Sequence, residues 1–132
     1  MNENNKLKIS YKDFINKYVK KFQNIDFIYL PEKGFIVWRL GTGENVELLH
    51  IRTFIHKKGY ARKLIKEMIK KLKKNPPYYS IFGFALSSRK NLKKIYQRLG
   101  FKVTPNISGP YKKGLSFLFY SNYEKLKKEY LK

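Results

Sequence analysis

His50-Ile51-Arg52-Thr53-Phe54-Ile55-His56-Lys57-Lys58-Gly59-Tyr60-Ala61 carries the pattern on which the fold turns. It joins the end of an expected strand, about Asn45 to Thr53, to an expected helix starting near Gly59 through a short basic loop. Consecutive backbone N–H groups at a helix N-terminus form an anion site. Gly59 lacks a Cβ and lets the backbone come close to a ligand. Ala61 keeps the first helical turn thin, and Lys57 and Lys58 add charge beside a phosphate. A lone Gly-x-Ala after a strand is more often mere turn chemistry, so the loop needs a second signal.

Downstream, Tyr60, Leu64, Ile65, Met68, Ile69 and Leu72 recur at helical spacing, with the lysines largely outside that stripe. Asn75-Pro76-Pro77 stops this helix, and Tyr78–Ala85 reads as a buried strand. A second amphipathic helix, capped by Ser87 or Ser88, turns Leu92, Ile95, Tyr96 and Leu99 inward and ends at Gly100, as a left-handed C-cap would. Phe101–Thr104 and Leu115–Tyr120 are two further strands, and a short basic helix follows. Upstream, Ser10 caps a helix whose apolar face is Tyr11, Phe14, Ile15, Tyr18, Val19 and Phe22. Asp26–Leu30 and Phe35–Leu40 form a hairpin about Pro31-Glu32-Lys33-Gly34; Leu7–Ile9 reads as a vestigial first strand. This order implies an α/β (α+β) fold: a mixed, mostly antiparallel sheet of about six to seven strands with helices on both faces.

The chain of 132 residues suits one domain, residues 1–132. An apolar fraction of 42% and an aromatic fraction of 17% argue against disorder. The absence of cysteine excludes disulfides, zinc–thiolate sites and thiol nucleophiles. His50 and His56 have no convincing third ligand, so no metal is expected. No secretory or membrane-spanning run is present, and a cytoplasmic location is expected. Thirty Lys+Arg against nine Asp+Glu leave a net charge of +21, spread through the chain. Such a surface attracts polyanions and steers anionic ligands.

The second signal is Ile95-Tyr96-Gln97-Arg98-Leu99-Gly100-Phe101, which resembles the Leu-Tyr-x-x-Leu-Gly-Phe signature of the Gcn5-related N-acetyltransferase (GNAT) superfamily. About thirty-five residues earlier, His56-Lys57-Lys58-Gly59-Tyr60-Ala61 is similar to that family's Arg/Gln-x-x-Gly-x-Gly/Ala pyrophosphate loop, with Ile51 at its aliphatic strand position. The likeness covers roughly Val46 to Val103 and implies a single acetyltransferase-like domain with a reduced N-terminal region and a cofactor-binding core at about 45–104. His56 replaces the family's Arg or Gln, and Arg89 stands where an Asn often precedes the signature tyrosine.

The resemblance implies acetyl-coenzyme A as donor, direct transfer to an amine, and a pyrophosphate held by His56, Lys57, Lys58, Gly59, Tyr60 and Ala61. Main-chain N–H groups near Leu49 and Ile51 would hold the cofactor arm and polarise the thioester carbonyl. Tyr96 takes the family's general-acid position; on residue chemistry alone it is a core tyrosine on an apolar helix face. Glu47 is the best base candidate, because strand alternation gives it the parity of Leu49 and Ile51. By itself it reads slightly better as an ordinary exposed strand carboxylate. The expected partner is an amine-bearing acceptor, on an acidic protein or a nucleic-acid-associated macromolecule, with the enzyme a monomer or homodimer. The alternative is a non-catalytic, basic nucleic-acid-binding protein on an acetyltransferase fold. A related acyl chemistry with another donor is a third reading.

Overall fold

Period-two alternation between residues 25 and 53 produces a three-strand meander, and two strand–helix crossovers extend it. The computed structural model describes residues 11–13, 15–17, 24–41, 45–53, 59–72, 80–86, 92–105 and 116–131. Strands β1 (Ile25–Leu30), β2 (Gly34–Leu40), β3 (Val46–Thr53), β4 (Ser80–Leu86), β5 (Lys102–Pro105) and β6 (Ser116–Asn122) form one sheet in the order β1-β2-β3-β4-β6-β5. Helix α1 (Tyr60–Leu72) joins β3 to β4, α2 (Leu92–Arg98) lies between β4 and β5, and α3 (Tyr123–Tyr130) follows β6. Among the described strands only β3 and β4 pair in parallel; the other neighbours are antiparallel. This is the expected mixed, mostly antiparallel sheet. The expected strand at Leu7–Ile9, the Ser10, Ser87 and Ser88 caps, the Asn75-Pro76-Pro77 stop and the apolar positions Phe14, Tyr18, Val19 and Phe22 lie outside the described residues.

The two faces of the sheet are covered differently. Ile36, Trp38, Val46, Leu48 and Ile81 turn to the face that carries α1, α2 and α3. Phe35 and Val37 turn to the other, where Tyr11 and Ile15 of the helical residues 11–13 and 15–17 pack. Tyr11 stacks on Tyr29 at 4.6 Å, and burial followed by the charge of Tyr29 raises its pKa. Helix α1 buries Leu64, Ile65, Met68 and Ile69 completely; each such side chain contributes about 1.5–3 kcal/mol by leaving water. An exposed ion pair, Lys71 with Asp26 of β1 at 2.6 Å, links the end of α1 to the meander. Asn122 caps α3 by accepting from the Lys125 N–H at 2.8 Å.

Helix α2 turns Tyr96 and Leu99 inward as expected, but Ile95 is 41% exposed, which corrects its inward assignment. Over so short a helix the buried stripe runs Leu92–Tyr96–Leu99, and Ile95 falls at its edge. Gly100 ends the helix at φ +103°, the left-handed cap the sequence implied.

One knot ties α1, the end of α2 and α3 together. Arg62 Nη1 donates to the Arg98 carbonyl at 2.9 Å, its Nη2 meets Glu129 at 3.2 Å, and the guanidinium lies 4.7 Å from the Tyr130 ring centre. The Tyr130 hydroxyl donates to the Leu99 carbonyl at 2.6 Å. Burial pushes the Tyr130 pKa well above the ordinary phenol value, with Arg62 opposing. A raised acid pKa means the native state keeps its proton longer than the unfolded chain. That part of the stability is full below about pH 10, the unfolded value, and is lost as pH rises from there. Tyr130→Phe is therefore expected to cost about 1 kcal/mol at neutral pH and to flatten the alkaline fall. Urea melts of both proteins at neutral pH and above pH 10 would check this; parallel alkaline curves would sink it.

Candidate active site

The decisive feature is where β3 and β4 stop pairing. Their ladder consists of Val46↔Ile81 and Glu47↔Phe82. Yet β3 stays paired to β2 as far as Thr53, and β4 to β6 as far as Leu86. The two halves of the sheet are each intact and part beyond Glu47 and Phe82, leaving a wedge that opens toward the strands' carboxyl ends. Backbone groups lining such a wedge can bind an extended amide-bearing ligand as a strand would.

Within the wedge wall β3 is irregular. Val37 pairs with His50 and Trp38 with Leu48, so Leu49 is an extra residue, a β-bulge. The bulge overturns the parity argument for Glu47. Glu47 does share a face with Leu49, which packs against Phe35 and Val37, but Ile51 packs with the main core on the opposite face. Strict alternation cannot anticipate an inserted residue. Glu47 is nevertheless a wedge residue, because it occupies the last paired position. Arg39, directly opposite on β2, donates from Nε at 2.8 Å and Nη2 at 2.7 Å to its Oε1, and the Glu47 side chain is 14% exposed. That guanidinium was not anticipated as a partner; its signal was the cross-strand register, which a sequence does not print.

Tyr96 approaches from the opposite face. It is 7% exposed, stacks on Phe119 of β6 at 3.8 Å with ring planes 9° apart, and meets Phe101 and Phe117 edge-on. Leu48 belongs to the same core cluster, whereas its neighbour Glu47 points the other way. The two expected catalytic side chains thus flank the sheet from opposite sides.

At the carboxyl end, Gly59 precedes α1 with φ +73°, and no described residue stands within 4 Å of where its Cβ would be. A left-handed glycine at a helix start lets a ligand approach the backbone N–H groups there closely. The first turn of α1 holds no acidic residue. Lys63 stands against Lys33 from the β1–β2 turn, and this neighbouring lysine lowers the Lys63 pKa. Two adjacent cations suit an anionic ligand. Ala61 packs on the core and Tyr60 is half-buried beside it. His56, Lys57 and Lys58 lie outside the described residues. Sequence reading passed over Gly83, which sits in the middle of β4 at the wedge apex; a glycine inside a strand is itself a sign of close approach.

Solved structures share this architecture. An acetyltransferase of Bacillus subtilis in complex with CoA aligns over 92% of this chain and 94% of its own, at 17% identity and TM-score 0.63. A GNAT family acetyltransferase from Elizabethkingia anophelis with acetyl-CoA bound aligns over 84% and 82%, at 20% identity and TM-score 0.61. The ribosomal-protein-S18-alanine N-acetyltransferase of Escherichia coli aligns over 85% and 76%, at 14% identity and TM-score 0.58. At these identities the likeness is one of fold. No curated protein matches the sequence significantly. Among the described residues no helix is long and apolar enough to cross a membrane. The family model of the acetyltransferase (GNAT) domain matches residues 14–122, most of the chain, and the protein belongs to that family of acyltransferases.

Proposed function

We propose that the chain is an acetyl-coenzyme A-dependent N-acetyltransferase acting on an amine carried by an acidic or nucleic-acid-associated macromolecule. The observation that supports this most is the wedge between β3 and β4, with the left-handed Gly59 beyond its mouth. Gly59, Tyr60 and Ala61, with His56, Lys57 and Lys58, hold the pyrophosphate through backbone N–H groups and charge. Backbone groups near Leu49 and Ile51 hold the arm in the wedge. The bound cofactor supplies an activated thioester, whose acetyl carbon bonds to the acceptor nitrogen while its bond to sulfur breaks. Glu47, held by Arg39, accepts the proton the nitrogen sheds, directly or through water. Tyr96, from the opposite face, gives a proton to the departing sulfur. The net charge of +21 favours an acceptor presented on a polyanion over a small cationic amine.

A thermal-shift titration at near-physiological salt tests the donor. Acetyl-coenzyme A at about 100 times its dissociation constant is expected to stabilise the fold by about 2.7 kcal/mol. Inorganic triphosphate and heparin serve as polyanion controls. Gly59→Asp is expected to abolish most of the shift, since a carboxylate beside the pyrophosphate costs about 2 kcal/mol or more. Asp tolerates the left-handed backbone better than most residues, so the variant reports on the site rather than on folding. Equal shifts with the controls, or none with acetyl-coenzyme A, would favour a nucleic-acid-binding protein instead.

A further inference from the structure

We propose that Phe119 closes the wedge at its apex and thereby restricts the donor to a short acyl thioester, acetyl in preference to longer chains; the inference rests on the donor reading above. Immediately beyond the last paired residues, Leu48 faces Gly83. The Leu48 carbonyl oxygen lies 2.7 Å from where a Gly83 Cβ would stand, and the Phe119 ring reaches over the same point, its Cε2 at 2.8 Å and its Cζ closer still. Phe119 therefore arrives from β6, paired with Gly83 in the register, and covers the spot where β3 and β4 part.

That ring has no room to retreat. Tyr96 stacks on it at 3.8 Å, and Phe101 abuts it at 5.2 Å with planes 81° apart. Phe119 is 1% exposed. Close-packed rings of this kind yield little to an extra methylene. Gly59, at the proposed pyrophosphate site, lies past the carboxyl end of β3, so an arm anchored there runs along the wedge with its acyl end deepest. Each added carbon is pressed toward Phe119. One methylene too many in an apolar pocket is worth about tenfold to 200-fold in discrimination.

The test is a ladder of dissociation constants for acetyl-, propionyl- and butyryl-coenzyme A, measured by calorimetry on the full chain and on Phe119→Leu. The parent is expected to lose about tenfold or more in affinity from acetyl to butyryl, and the leucine variant to compress the ladder to about threefold. Equal affinities for all three donors in the parent overturn the proposal without any variant. A folded Phe119→Leu that keeps the parent's ladder overturns it too, and if the variant fails to fold the parent's ladder decides. Failure of all three donors to bind would instead remove the acetyl-coenzyme A reading itself.

Discussion

Tyr96→Phe is expected to lower kcat by about a hundredfold or more, the usual range for removing a general acid, while donor affinity stays near the parent's. The ring itself stacks on Phe119 and meets Phe101 and Phe117, and phenylalanine keeps all of those contacts. What disappears is one hydroxyl, worth about 1 kcal/mol of stability at most in such a setting. The variant thus separates chemistry from packing. Steady-state rates with any acceptor amine, alongside melting curves and acetyl-coenzyme A titrations, provide the measurement. A variant as fast as the parent would mean that the sulfur leaves without a proton from Tyr96, and the tyrosine would revert to a core residue. A loss of rate matched by a loss of donor binding would point to a collapsed wedge rather than to a missing acid.

Gly83→Ala is expected to be the most damaging single methyl group, destabilising by about 3 kcal/mol or more through overpacking. Its Cβ would enter the Phe119 ring and stand 2.7 Å from the Leu48 carbonyl oxygen. The ring is backed by Tyr96, and Leu48 is fixed by its pairing with Trp38. Neither neighbour is the loose end of a flexible side chain. Gly41→Ala is the control: the nearest atom to its Cβ is the Asn45 carbonyl oxygen at 3.6 Å, ordinary van der Waals contact. Urea denaturation of both variants checks the contrast. If Gly83→Ala stays within about 1 kcal/mol of the parent, Phe119 is not seated on the glycine, and its role at the wedge apex falls with it.

Much of the architecture was legible because it rests on periodicity. The spacing of Leu64, Ile65, Met68, Ile69 and Leu72 placed α1, and all five are buried. Gly100 closed α2 as its position suggested. The features that escaped are those that break a period or depend on register. The bulge at Leu49 inserts one residue, so every side chain after it on β3 changes face relative to simple alternation, and Ile51 parts from Glu47. Arg39 meets Glu47 only because residues eight apart become cross-strand neighbours. Gly83 looked like one more position in a buried strand until Phe119 stood over it. The wedge itself is invisible to any local reading, since it is the absence of pairing between two strands that are each well formed.

The Arg62 knot has a consequence for the order in which the protein is made. Arg62 sits in the first turn of the helix that follows Gly59, and its partner Glu129 lies 67 residues further along the chain. A contact across that separation is slow to close and comes late, after the nearer strands have paired. A nascent chain can therefore assemble the meander and α1 while still emerging, yet the start of α1 is clasped only once Glu129 and Tyr130 have been synthesised and docked. The start of α1 therefore waits for α3 to be made and docked before it is held in place.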